Sequence, residues 1–346
     1  MLRLHELFPH PIIQGPMAGG ASTPALVAAV SNAGGLGSLA CGMLSPEAML
    51  EQAWEIRQAC SRSFAMNLFV QTAPAPTPEE IQAASALLKP VWSQFGWDAL
   101  PLPAKWCEDM EAQFEALLQV SPAVASFTFG IISSEQLAQL HASGIFVIGT
   151  ATHLAEALAW QNLGADAVCL SGVEAGGHRG TFIGEQEAVS FSTSELLAQV
   201  APQLSIPVIA AGNIVTGEDI SSALSAGAAA VQMGTAFLVT HESGIHPAYK
   251  QQLLAATTDT TRQTRAFTGR FARGLDNRFM QVMAEVAAQV PAYPVQNALT
   301  AAIRSAAAKN NDPQWMSMWC GQGVARARAM GTAELMRDLI SHCQTH

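Results

Sequence analysis

Short, almost unbroken apolar runs recur along the chain at 11–17, 36–40, 64–70, 123–129, 145–149, 167–170, 207–211 and 229–233. Runs of this length without polar alternation predict strands buried on both faces. Between them lie amphipathic stretches at 23–33, 45–57, 134–142, 153–163, 193–203 and 217–226. The first of these has Ser22 or Thr23 as N-cap, Pro24 at its first helical position and Gly34-Gly35 at its end, which is the punctuation of a helix. Strands alternating with helices imply parallel βα units, and eight of them fit a (β/α)₈ TIM barrel better than an open sheet. A Pro-rich stretch at 73–78 and a Trp-rich helical stretch reaching about residue 120 exceed a plain crossover and predict a lid or edge insertion.

The rhythm fails after Leu238. Residues 240–315 read as helices without strands, apart from a loop at 268–274, and are expected to form a helical substrate-covering domain over the barrel mouth. Residues 321–340 read as one helix that returns to the barrel wall. The expected division is 1–239 for the barrel, 240–315 for the helical cover and 316–346 for the C-terminal return.

Composition narrows the function classes. A chain of 346 residues exceeds the usual size of one simple core, so a large barrel or two domains is expected. With 49% hydrophobic and 13% charged residues it reads as a well-buried enzyme-like body, and a formal charge of −10 argues against nucleic acid or an anionic membrane as partner. Any anion must therefore be held locally, by backbone amides or a few side chains. The six cysteines form no CxxC pair and read as reduced thiols of a cytoplasmic protein. No basic-then-apolar signal precedes the first strand, and no run approaches the ~18–20 apolar residues of a membrane span.

Chemistry concentrates at 168–182, where a buried strand changes into glycines around His178 and Arg179. A glycine loop at the end of a barrel strand is where such folds place ligands, although a Gly-Gly turn is also ordinary punctuation. His178 can exchange a proton near neutral pH and is the candidate general base; Arg179 cannot. The stretches 210–214 and 231–235, after the seventh and eighth predicted strands, suit a phosphate cradle of backbone N–H groups. Asn67 is either a satisfied core amide or a hydrogen-bonding partner for a heterocycle, and Gln14 is similar. Met17 and Met233 are core residues or apolar packing for a flat ring. The other histidines, His346 among them, lack metal-ligand spacing, and no G-x-S-x-G elbow or GxGxxG after the first strand occurs.

Several segments together resemble the nitronate monooxygenase family, formerly called 2-nitropropane dioxygenases. They are Pro11-Ile12-Ile13-Gln14-Gly15-Pro16-Met17, Asn32-Ala33-Gly34-Gly35-Leu36-Gly37-Ser38, Asn67-Leu68-Phe69, Ser126-Phe127-Thr128-Phe129-Gly130, Glu174-Ala175-Gly176-Gly177-His178-Arg179-Gly180 and Gln232-Met233-Gly234-Thr235-Ala236-Phe237. Residues 273–278 and Trp319-Cys320-Gly321-Gln322-Gly323 extend the likeness. It implies an FMN-containing TIM barrel that converts alkyl nitronates, such as propionate 3-nitronate, to carbonyl compounds and nitrite with O₂. By position, His178 matches the catalytic histidine beside the flavin. Gln14, Gly15, Met17, Asn67, Ser171, Gly176, Gly177, Gly212, Asn213, Gln232, Met233, Gly234 and Thr235 are the candidate FMN contacts.

Three positions depart from the family pattern: Ser171 replaces a common Gln, Asn213 the second Gly of Ala-Ala-Gly-Gly, and Thr128 a His found in some members. Ser171 reaches less far than Gln, Asn213 is expected to tolerate the left-handed backbone of a Gly, and Thr128 leaves the acid/base role to His178. The implied partners are a small nitronate or nitroalkane and O₂, with a homodimer as candidate assembly and neither nucleic acid nor membrane. The competing readings are an FMN-dependent NAD(P)H reductase of quinones or enoyl thioesters and a non-catalytic flavin carrier.

Overall fold

The computed structural model describes residues 3–343; Met1, Leu2 and residues 344–346, with His346, lie outside them, as do the outer ends of the expected 1–239 and 316–346 segments. The strands of the described residues are β1 (Ile12–Gln14), β2 (Gly37–Ala40), β3 (Phe64–Phe69), β4 (Val124–Thr128), β5 (Phe146–Ala151), β6 (Ala167–Ser171), β7 (Gly177–His178), β8 (Val208–Ala211), β9 (Ala230–Met233), β10 (Thr261–Thr264) and β11 (Ala272–Leu275). Eight of them pair in parallel in the order β1-β9-β8-β6-β5-β4-β3-β2. The two ends of that sheet meet where the Gln14 N–H donates to the Leu36 carbonyl at 2.9 Å and the Leu36 N–H to the Ile12 carbonyl at 2.9 Å. The sheet is thus a closed (β/α)₈ barrel, as the apolar runs predicted.

Alternation along the strands sorts two cores. Ile13, Leu36, Ala65, Val124, Ile148, Cys169 and Ile209 point inward, and the short N-terminal helix Leu4–Leu7 closes the lower end with Leu4, Leu7 and Phe8. Ile12, Leu39, Met66, Phe127, Val168, Leu170, Val231 and Met233 point outward, against Leu26, Val30, Met49, Leu117, Leu140, Trp160 and Leu196 of the surrounding helices. That double burial is why the strands are apolar at nearly every position. The last outer helix is Thr332–His342, which packs between Pro24–Asn32 and Gly217–Ser225 and so completes the ring.

A second core covers the C-terminal mouth of the barrel. Leu253, Phe267, Phe279, Met283, Leu299, Ile303 and Trp315 pack there with Ala84, Leu88, Val91, Trp92 and Leu100 from the insertion after β3. Two expectations are corrected here. Residues 240–315 are not purely helical: β10 and β11 pair antiparallel, and β11 pairs in turn with β7, setting Ala272 opposite His178 and Arg273 opposite Gly177. Residues 321–340 are not one helix either. A 3₁₀ turn at Gln322–Arg326 precedes Thr332–His342, because Gly321 and Gly323 must approach other backbone and side chains too closely for a regular outer helix.

Candidate active site

A cavity of about 400 Å³ opens where the barrel's strand ends meet the covering unit. Inward positions that are apolar low in the barrel become polar at its top: Asn67 on β3, Ser126 and Thr128 on β4, Thr150 on β5, Ser171 on β6 and Gln232 on β9 all line the cavity. Gly15, Met17, Gly176, Gly177, His178, Gly212, Asn213, Gly234 and Thr235 line it as well. Gln14 and Met233 do not. They are register partners across β1 and β9 and share the outward face. There the Gln14 amide donates to Ser22 Oγ at 2.9 Å and its oxygen accepts from the Ser38 N–H at 3.0 Å. Asn67 lines the cavity while its amide nitrogen donates to the Ser126 carbonyl at 3.1 Å and Ser126 Oγ at 3.0 Å.

His178 enters the cavity from β7, held by the ladder to β11. Its Nε2 lies 3.0 Å from Thr268 Oγ1, and its ring is walled by Phe129 and Tyr293, each 5.7 Å away between centroids, and by Trp319 at 5.5 Å. Burial among these rings, with the Arg270 and Arg304 charges nearby, pushes its pKa down from 6.5 to about 3. The ring is nonetheless partly open to the cavity, so the direction carries the conclusion: the imidazole is neutral at neutral pH and available as a base. Arg270 is fixed to the same wall, donating through Nε to the Arg179 carbonyl at 2.8 Å and lying 4.2 Å from the centre of the Phe129 ring.

Away from His178 the rim of β8 and β9 forms a cradle. Gly212 has φ +122° and Asn213 φ +55°, so the left-handed backbone expected of Asn213 is present. Arg326 clamps this turn, donating through Nη2 to the Asn213 carbonyl at 2.9 Å and Oδ1 at 2.8 Å while Nη1 contacts the Asp219 carboxylate at 2.6 Å. Gly176 sits where a Cβ would stand 2.4 Å from the Cys320 carbonyl carbon. Among the described residues, the N–H groups of Asn213, Ile214, Gly234 and Thr235 have no acceptor. Such a turn of free amides suits a phosphate, and the polar inner ring beside it suits the edge of a flat heterocycle.

Arg179 and Arg273 prove to be braces. Arg179 is buried and donates through Nη1 to the Gly172 carbonyl at 2.8 Å; Arg273 donates through Nε to the Val173 carbonyl at 3.0 Å. Both hold the loop that leads to His178. Several lining residues were not candidate site residues from sequence: Tyr249, Tyr293, Asn297 and Arg304, and also Phe129 and Trp319, which enter only as members of the resemblance segments. Most belong to the segments after Leu238, where the sequence points only to the loop at 268–274 and, through the family resemblance, to residues 273–278 and 319–323.

A closed barrel with a neutral histidine and an amide cradle at its C-terminal mouth defines an α/β-barrel enzyme acting on a small molecule. The nitronate monooxygenase family model matches residues 2–342, and the chain belongs to that family of oxidoreductases. It is 37% identical over 338 residues to a probable nitronate monooxygenase of Staphylococcus haemolyticus, covering 97% of this chain and 94% of the relative. Among solved structures it is similar to nitroalkane oxidase from Streptomyces ansochromogenes, with TM-score 0.91 and 40% identity over 98% of this chain and 97% of that one. It is also similar to FabK from Thermotoga maritima, with TM-score 0.76 and 28% identity over 99% and 96%. Among the described residues, no helix is long and apolar enough to cross a membrane.

Proposed function

We propose that this enzyme binds FMN at the cavity and oxidises alkyl nitronates, and the nitroalkanes that yield them, with O₂ to carbonyl compounds and nitrite. The observation that carries this reading is the neutral His178 imidazole in the same cavity as a cradle of free amides, in a barrel of the nitronate monooxygenase family. Asn213, Ile214, Gly234 and Thr235 would hold the phosphate; Gly15, Met17, Asn67, Ser171, Gly176, Gly177, Gly212 and Gln232 would frame the ring system. Gln14 and Met233 would act only from behind the wall. When bound, FMN supplies the electron transfer from nitronate to O₂.

The chain's own part is positioning and proton transfer. His178 takes the α-proton of a neutral nitroalkane, and Phe129, Tyr293 and Trp319 exclude bulk water from that step. A preformed nitronate needs no proton removed. The segments 240–315 and the insertion after β3 serve as the cover over the substrate, with 1–239 as the FMN-binding barrel and 316–346 as the return to its wall. All the residues argued for come from one chain, and the reduced thiols suit the cytoplasm.

The decisive experiment is an absorbance spectrum of purified protein before and after anaerobic addition of propionate 3-nitronate, followed by a nitrite assay in air. Flavin reduction and nitrite release are expected. A protein that cannot be loaded with FMN ends the reading. The similarity to FabK supports a second reading as an NAD(P)H-dependent reductase. Rapid anaerobic bleaching by NADH, with none by nitronate, would favour it.

A further inference from the structure

We propose that Glu156, on the outer helix that follows β5, is a positioning residue for His178: its carboxylate pins the chain just beyond the histidine and supplies the counter-charge of the two arginines that hold the histidine's wall. The proposal rests on the reading of His178 as the base toward a nitroalkane and adds the group that keeps the imidazole in place.

Glu156 is fully buried, the one Asp or Glu of the described residues that is. It stands in the first turn of helix Leu154–Leu163 and does not line the cavity. Its Oε2 accepts from the Thr152 N–H at 2.7 Å and from the Thr152 hydroxyl at 2.8 Å. Its Oε1 accepts from the N–H groups of Phe182 and Ile183, the latter at 3.0 Å. Thr152 Oγ1, its proton committed to Glu156, accepts in turn from the Thr181 hydroxyl at 2.8 Å. His153 Nε2, 3.5 Å from Oε1, donates to the Ile183 carbonyl at 3.0 Å. One buried carboxylate therefore ties the end of β5 to residues 181–183.

The charge matters as much as the bonds. Arg179 is buried with Nε and Nη2 unpartnered, and Arg270 donates to the carbonyls of Arg179 and Thr181. Burial pushes both guanidinium groups down to about 10, and Glu156 is the carboxylate that most opposes this for each. Removing one charge from such a desolvated cluster leaves the others unbalanced, so the cluster keeps its shape only with Glu156 in it. What it shapes is the wall around His178. The Arg179 N–H donates to the Phe271 carbonyl at 2.7 Å, next to the Ala272–His178 register pair. The Arg270 guanidinium lies 4.2 Å from the centre of the Phe129 ring, whose own centre is 5.7 Å from that of His178. Phe129 has φ +80°, a conformation that a phenylalanine keeps only where its surroundings enforce it.

The test compares FMN-loaded wild type and Glu156→Gln on 1-nitropropane and on its preformed nitronate. Only the neutral compound needs a proton removed, so the ratio of the two kcat/KM values reports the placement of the imidazole and does not depend on how much enzyme is folded. A glutamine amide has one acceptor and must turn its NH2 toward a donor of either Thr152 or the 182–183 backbone. The ratio should fall by about 10- to 100-fold, with a larger primary deuterium isotope effect on the neutral substrate, and Glu156→Asp, which keeps the charge, should recover part of it. Equal losses for both substrates, or no loss, would overturn the proposal. If Glu156→Gln does not fold, Thr152→Val replaces it: loss of one donor and of the link to Thr181 should lower the ratio about fivefold, and an unchanged ratio refutes the proposal. If wild type leaves 1-nitropropane unconverted, the reading of His178 as base fails and nitrogen-15 spectra decide the positioning separately. In Glu156→Gln the His178 ring signals should then shift and the ring N–H facing Thr268 should exchange with solvent about tenfold faster; unchanged signals refute it.

Discussion

His178 and Thr268 meet at 3.0 Å between Nε2 and Oγ1, and a third group fixes the direction of that hydrogen bond. The Thr268 hydroxyl donates its single proton to the Arg270 carbonyl at 3.0 Å. It can only accept from His178, so Nε2 carries the hydrogen and Nδ1, which has no partner among the described residues, is the basic atom.

Thr268→Val keeps the shape of the side chain and removes the acceptor. A buried N–H left unsatisfied costs about 1–3 kcal/mol, enough to favour the opposite tautomer. The expected outcome is a loss of at least about tenfold in nitroalkane kcat/KM, with preformed nitronate much less affected and Thr268→Ser close to wild type. Nitrogen-15 shifts of His178 should exchange between the ring nitrogens in the valine variant. Unchanged shifts would mean that Thr268 does not select the tautomer.

Acid should weaken the fold through the same histidine. The pKa of His178 falls from 6.5 in the open chain to about 3 in the folded one. Between those values the unfolded state binds a proton that the native state refuses, so stability is lost as pH falls through that window and is fully present above it. His178→Asn should abolish this component. The urea midpoints of variant and wild type should therefore differ by one amount at neutral pH and by another midway down the window. A constant difference would show that His178 is not the group responsible. The acid limb of nitroalkane kcat/KM assigned to His178 should likewise lie well below 6.5.

The barrel was legible because double burial writes itself into the chain as apolar runs, and the loop of Gly176 to Arg179 because glycines interrupt one of them. The small sheet beside it was not. β7 has only two residues, β10 reads Thr-Arg-Gln-Thr with only Thr264 buried, and β11 contains a glycine and an arginine, so none shows a strand period. Gln14 and Met233 were misplaced for a related reason: where both faces are buried, composition does not say which faces inward, and register decides it. Arg304 and Tyr293 lie over a hundred residues from His178 and meet it only through the covering fold, so no spacing could announce them.

Gly176 and Gly177 should respond differently to alanine. At Gly176 a Cβ would stand 2.4 Å from the Cys320 carbonyl carbon and 2.5 Å from the Gly321 nitrogen. That backbone cannot yield without moving Gly321, whose N–H donates to Thr235 Oγ1 at 2.9 Å. Gly176→Ala should cost about 1–3 kcal/mol by overpacking and also loosen FMN. Gly177 has φ +75° and nothing within 4 Å of its Cβ position, so Gly177→Ala should cost only about 1–2 kcal/mol of backbone strain. Urea unfolding and flavin-fluorescence titration of both variants separate these outcomes; equal FMN affinity in the two would contradict the role given to Gly176.

Arg326 offers a way to test the cradle without entering the cavity. Its guanidinium joins Asp219, at the start of the helix after β8, to the carbonyl and side chain of Asn213. The ion pair is partly exposed and should contribute no more than about 1 kcal/mol to global stability. Its local effect is larger, because Asn213 must stay at φ +55° for the neighbouring amides to converge. Arg326→Met should therefore weaken FMN binding by about tenfold while leaving the unfolding midpoint nearly unchanged. Asn213→Gly, which relaxes the backbone but loses the Oδ1 contact, should fall between wild type and Arg326→Met. Asn213→Val, with a β-branched side chain in left-handed geometry, should fall below both. A binding order that follows side-chain polarity instead of backbone tolerance would show that Asn213 serves the cofactor through its amide and not through the turn it makes.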